Sequence, residues 1–190
     1  MLRAHRPPPL RMSAMPLPEL EELENDIGYR RLSEGRRRQL RYWAIFLRDG
    51  VPKYRELTNR RPQPENWMAF GIGRPDIELY TVHARGMKHT LSPKDHLRVE
   101  VITRGPNGPT RYAQLLERKA EIDAAFAPEK VTWVGPGSKY ARRIYVLKEA
   151  RIRDQEDWPN QHEWLLTWLK KFDDVFYPIA QSLPPTGRRH

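Results

Sequence analysis

Cysteine is missing from the sequence altogether, which excludes disulfides, thiolate nucleophiles and thiolate metal ligands. A reducing compartment is compatible with that, and the cytoplasm is the expected location. No run approaches 18 consecutive apolar residues, so no membrane-spanning helix is expected. Acidic residues are absent from residues 1–18, where Arg3, Arg6 and Arg11 sit among Pro7, Pro8, Pro9, Pro16 and Pro18. That stretch has no apolar h-region for a secretory signal, and its prolines oppose the amphipathic helix of a transit peptide. It also has too little apolar content to order itself, so residues 1–18 are expected to form a disordered Pro/Arg-rich tail. Internal repeats at a fixed period are lacking too.

What is present is 190 residues with a net charge of +10. Three of the excess positive charges lie in residues 1–18, two in 184–190 and five within 42–183, while 19–41 is balanced. Half of the excess therefore falls on the part able to fold, a bias toward polyanions such as nucleic acid.

The apolar pattern separates into elements. Residues 19–35 read as a short amphipathic lead-in. Ser33 is an N-cap for a helix carrying Leu40, Trp43, Ala44 and Leu47 on one stripe, closed at Asp49-Gly50. Three strands follow at 67–73, 77–84 and 97–103, the last two with strict alternation. The segment 85–96 between them is long and polar. Thr110 caps a helix through Phe126, with Tyr112, Leu115, Leu116, Lys119, Ile122 and Phe126 on its stripe. Strands at 131–134 and 143–148 flank a Gly-Pro-Gly-Ser turn at 135–138. A final helix over 159–183 repeats Leu165, Trp168, Leu169, Phe172, Val175, Phe176 and Ile179 at spacings of three and four. The order α-βββ-α-ββ-α with short links predicts an α+β fold: a mostly antiparallel five-stranded sheet with the helices on one face. The domain is expected to span 36–183, with 184–190 as a basic tail dispensable for folding.

Residues 63–73 (QPENWMAFGIG), 114–126 (QLLERKAEIDAAF) and 154–169 (DQEDWPNQHEWLLTWL) together resemble the bacterial and archaeal domain-of-unknown-function family 4268, over about residues 41–179. Members occur alone or at the end of larger proteins, some with restriction-nuclease-like domains. The resemblance thus implies a nucleic-acid or defence context and no particular reaction. The 85–96 segment looks longer than the family's usual loop.

Chemistry-bearing groups fall into a few sets. A metal-dependent nuclease needs an Asp, then Glu-x-Lys on a strand, so that carboxylates hold the ion and Lys orients water. Asp76 or Asp95 with Glu100 supplies the carboxylates, but Ile102 stands where Lys belongs, and Glu100 reads as a solvent-facing residue beside Arg98. His162-Glu163 would begin a zinc-protease helix, but Leu166 stands where the second His is required. His83, His89 and His96 have no metal-site spacing and read as surface histidines. Gly71 and Gly73 read as a bulge or a close-packing site, and the 135–138 turn lacks Walker spacing. No metal or cofactor is expected.

The remaining set is basic: Arg60, Arg61, Lys139, Arg142, Arg143, Arg151 and Arg153, in loops and at strand ends, with Trp67 and Tyr140 near in sequence. Guanidinium forks hold phosphate and aromatic faces stack on bases. The leading expectation is a non-catalytic module that binds nucleic acid or a nucleic-acid-processing partner, such as a larger nuclease or defence protein. The alternatives are a divergent metal-dependent nuclease and a pure protein-interaction subunit using the outer side of the closing helix.

Overall fold

The Ser33 hydroxyl accepts the Arg36 N–H at 3.4 Å from an extended backbone, the expected N-cap. The computed structural model in which this is seen describes residues 20–50, 61–86, 91–135 and 142–186. Arg60, Lys139, Tyr140, His89, most of the 135–138 turn and the tail 1–18 lie outside the described residues.

Two short helices, α1 (Leu20–Asn25) and α2 (Ile27–Arg30), precede α3 (Glu34–Ile45). From there α3 runs into a π-helical turn, Phe46–Gly50, which ends at the expected Asp49-Gly50. Three strands follow: β1 (Trp67–Arg74), β2 (Ile77–Ala84) and β3 (His96–Thr103). Then come α4 (Gly108–Glu117), α5 (Lys119–Phe126), β4 (Thr132–Val134), β5 (Arg143–Glu149) and α6 (Trp158–Ser182). The strands form one antiparallel sheet in the order β1-β2-β3-β5-β4. This is the α+β fold and element order expected from the sequence.

One expected helix is two. The stretch read as a single helix to Phe126 breaks at Arg118, whose backbone leaves the helical well at φ −99° and ψ 15°. The Arg118 guanidinium holds the break by donating to the Glu121 carboxylate and, at 2.7 Å, to the Ser182 hydroxyl at the end of α6. Helix α4 also begins earlier than Thr110, at Gly108, because Pro109 fits the first turn, where a missing N–H costs nothing.

The helices share one face of the sheet, as expected. Ile72, Leu79, Val99 and Val146 point from the strands into one buried cluster with Trp43, Leu115, Ile122, Leu169, Phe172 and Phe176 from the helices. The second face has a small cluster made only of strand residues, Ala69, Tyr80, Val82 and Ile102. Among the described residues, no helix is long and apolar enough to cross a membrane.

The far end of α6 is anchored by two arginines. The β1–β2 turn is set by Gly73 at φ +79°, a conformation that favours glycine. The next residue, Arg74, donates to the Ala180 and Leu183 carbonyls at 2.9 and 2.6 Å, satisfying oxygens that a helix end leaves bare. Arg111, buried to 2% exposure, pairs with Asp76 at 2.8 Å and donates to the Pro184 carbonyl at 2.7 Å. Pro184, placed in the basic tail on sequence grounds, is therefore hydrogen-bonded into the domain.

Phe172 is fully buried, with the Phe126 and Phe176 rings 4.8 and 5.5 Å from its own. Phe172→Ala should cost about 3–5 kcal/mol in urea denaturation. A cost below about 1 kcal/mol would mean that this stripe does not hold the helices to the sheet.

A basic cleft at one end of the sheet

Three strand ends meet at one place. Ala84 closes β2 opposite His96, which opens β3, and His96 in turn faces Glu149 at the end of β5. Gly86 lies where the chain leaves β2, and a Cβ there would come within 2.2 Å of the Pro93 carbonyl and 2.3 Å of the Lys94 backbone. Only glycine allows that approach. The Gly86 N–H donates to the Asp95 carboxylate at 3.0 Å, and the Asp95 carbonyl accepts the Ala150 N–H at 3.1 Å. The first turns of α3 lie beside this junction.

Between them runs a cleft of three adjoining cavities with shared walls. The inner one, about 350 Å³, lies between Gly35, Arg38 and Gln39 of α3 and His83, Arg85 and Arg153. A second, about 610 Å³, passes Lys94, Glu149, Arg151 and Arg153. The third, about 680 Å³, runs along α3 past Arg36 and Glu65 to Arg98 and Arg143 on the second face of the sheet. Arg85 lines all three. Eight Arg and Lys side chains line the cleft against the carboxylates of Glu65, Asp95 and Glu149.

Ion pairing divides the eight. Arg36 meets Glu65 at 3.5 Å, Arg38 meets Glu34, and Lys94 meets Glu149 at 2.8 Å. Arg98 and Arg143 share Glu100, each at 2.7 Å. Arg85, Arg151 and Arg153 engage no carboxylate among the described residues. Their guanidinium donors are open to a ligand.

Glu100 corrects an expectation. It lies beside Arg98, as read, but it is 2% exposed rather than solvent-facing. Register explains the difference. Arg143 pairs with Ile102, diagonal to Glu100 on the neighbouring strand, within reach for a long side chain. Beyond Arg98 the network continues to His96, whose Nε2 lies 3.0 Å from the Arg98 guanidinium. The His96 Nδ1 lies 2.9 Å from the Lys94 carbonyl, which fixes the proton on Nδ1. Burial lowers the His96 pKa and the Arg98 charge adds to this, against the pull of the Lys94 carbonyl.

The histidines were expected at the surface, yet His83 and His96 are 7% and 1% exposed. The alternation that puts Leu79 and Thr81 inward carries His83 in with them. His83 stacks on Trp43, with ring centroids 5.7 Å apart, and its Nε2 has no partner. Burial drops its pKa to about 4. His162 on α6, also buried, has an unpartnered Nε2 and a pKa of about 4, again from burial, opposed by Asp49 and the Tyr42 carbonyl.

The nuclease carboxylates do not converge. Asp76 lies beyond Ile77 and Asp95 before His96, at opposite ends of the paired β2 and β3. At about 3.3 Å per residue they are roughly 25–30 Å apart. Asp76 is tied to Arg111, and Glu100 to two arginines. Among the described residues, no three His, Asp or Glu side chains group as a metal site.

Of the basic residues expected to form a surface, Arg143, Arg151 and Arg153 line the cleft. Arg142 does not join its neighbour. It acts on Tyr112 of α4, lowering a pKa that burial raises. Arg61 is exposed ahead of β1 and lines none of the three cavities. Trp67 is 41% exposed on the second face, edge-on to Tyr80, over which Arg104 lies at 4.8 Å. The outer side of α6 presents Glu163, Thr167, Asp174 and Pro178, while Trp164 and Trp168 pack on the core. Sequence reading missed Arg36, Arg38, Gln39, Arg85, Lys94 and Arg98. One signal was available, the shared helical face of Gly35 and Gln39 at a spacing of four.

The molecule is thus an α+β domain, one helix layer on an antiparallel sheet, with a basic cleft at a sheet end. The profile of the domain of unknown function DUF4268 matches residues 38–180, and the chain belongs to that family. Neither a curated protein nor a solved structure matches the chain.

Two outcomes follow from the buried groups. Glu100→Ala should cost about 3–5 kcal/mol in chemical denaturation, because Arg98 and Arg143 are left buried without their anion. An effect under about 1 kcal/mol would mean that water reaches both guanidiniums. His83 and His162 have folded pKa values near 4 against 6.5 in the unfolded chain, so the unfolded state binds more protons between those limits. Their stabilisation is complete above pH 6.5 and is lost as pH falls toward 4, by about 3 kcal/mol each. Unfolding free energies at pH 7 and 4.5 should differ accordingly, and much less in the His83→Gln, His162→Gln double variant. An equal difference in the double variant would assign the effect to other groups.

Proposed function

We propose that this domain is a non-catalytic module that holds the phosphate backbone of a nucleic acid along the cleft, in the service of a nucleic-acid-processing partner. One observation carries the reading: Arg85, Arg151 and Arg153 line adjoining walls of the cleft with their guanidiniums engaged by no carboxylate among the described residues. A guanidinium presents a planar fork of donors matched to phosphate oxygens, and in a concave basic site its field is concentrated. The separation of Asp76, Asp95 and Glu100 weighs against the nuclease alternative. The polar outer side of α6 weighs against docking through that helix.

Binding should follow counterion release. Affinity for DNA or RNA should fall with salt, with a log–log slope of about −0.7 to −0.9 per phosphate contact. Arg151→Gln with Arg153→Gln should flatten the slope by about one to two and weaken all sequences alike. Arg142→Gln, on the other side of the sheet, should leave it unchanged. Fluorescence anisotropy at three salt concentrations measures both. Absence of binding at low salt would overturn the reading. So would binding that deletion of residues 1–18 abolishes and the cleft variants leave intact.

A further inference from the structure

The inner cavity differs from the rest of the cleft. It is about 350 Å³, near the lower limit of small-molecule sites and far too small for a duplex. Three arginines, Arg38, Arg85 and Arg153, line it; Arg38 is paired with Glu34 and Asp95 adds one carboxylate, so one positive charge remains. The buried imidazoles add none. The forks of Arg85 and Arg153 stay open, and a terminal phosphate offers them three free oxygens where a backbone diester offers two.

The rest of the wall suits what a phosphate would be attached to. Ala84, Ala150 and Ile152 give an apolar side on which a sugar or base can lie. The Gln39 side-chain amide, half-buried at the same wall, has no partner among the described residues. An amide offers a donor and an acceptor together, the pairing that reads a base edge. His83 closes the floor, 93% buried with an unpartnered Nε2 and its ring fixed against Trp43. Phosphate donors, an apolar wall and an unpaired amide thus occur within one cavity.

We propose that this cavity binds a single nucleotide through its phosphomonoester, with Arg85 and Arg153 on the phosphate and Gln39 on the base. The chemistry is shared by the phosphorylated end of a strand and by a free mononucleotide. The strand end is the occupant if the nucleic-acid reading above holds, and to that extent the inference rests on it.

The test uses the full chain and isothermal titration calorimetry with the four ribonucleoside 5′-monophosphates, the matching nucleosides and inorganic phosphate. At least one monophosphate should saturate a single site, with its nucleoside and inorganic phosphate each about tenfold weaker or more. Arg153→Gln should weaken the monophosphate about tenfold or more, and Gln39→Ala should weaken it while leaving inorganic phosphate unchanged. Arg142→Gln, which lines none of the three cavities, should leave the monophosphate affinity as it was. Melting curves confirm that each variant is folded. A single-stranded dodecamer with a phosphate at one end should bind more tightly than one without, and the gain should vanish in Arg153→Gln. If no monophosphate saturates and oligonucleotides bind with the salt slope above, the inference fails and the nucleic-acid reading stands. If monophosphates bind and no oligonucleotide does, the cavity is a free-nucleotide site and the nucleic-acid reading fails. Monophosphate binding indifferent to both Arg153→Gln and Gln39→Ala would place the nucleotide elsewhere and overturn the inference.

Discussion

A single buried carboxylate, Glu100, organises the cleft end of the molecule. Two guanidiniums from neighbouring strands converge on it, and their remaining donors are thereby pointed in fixed directions. Arg98 reaches His96, and His96 reaches the Lys94 carbonyl, so a chain of hydrogen bonds runs from one anion to the mouth of the cleft. Both guanidiniums thus depend on the same buried anion. Such an arrangement is weak evidence for stability and stronger evidence for a shape that something else requires.

The helix layer makes that end possible by occupying only one face of the sheet. Residues that alternate inward meet α3 to α6 and form the core, and their neighbours point to the second face. There Tyr80, Arg98, Glu100 and Tyr145 replace the aliphatic side chains of the first. The cleft lies where the faces meet, at strand ends. Backbone irregularity is tolerated there, as at Gly86, and long arginines can turn round the edge.

Periodicity carried most of the fold. Strict alternation over 77–84 and 97–103 marked β2 and β3 almost to the residue, and the three-and-four spacing from Leu165 to Ile179 marked α6. The break at Arg118 was not legible, because the residue is a good helix former and leaves the helix through a tertiary contact with Ser182. At the site the sequence was less informative. Arg151 and Arg153 were visible as cations in the loop after the last strand. Arg143 was visible as a cation, but its true partner depends on strand register, which a single sequence does not reveal. The histidines misled for the same reason, since type alone suggests a surface and only pairing shows His83 turned into the core and His96 buried beside Arg98 on the second face.

The two ends of the sheet are specialised differently. At one, Arg74 and Arg111 grip the last turn of α6 and the chain just beyond it; at the other lies the cleft. The polypeptide that follows Pro184 therefore leaves from the end remote from the cleft. A fluorophore, an affinity tag or a surface linkage placed after that point would act as a handle and leave the approach to the cleft unobstructed.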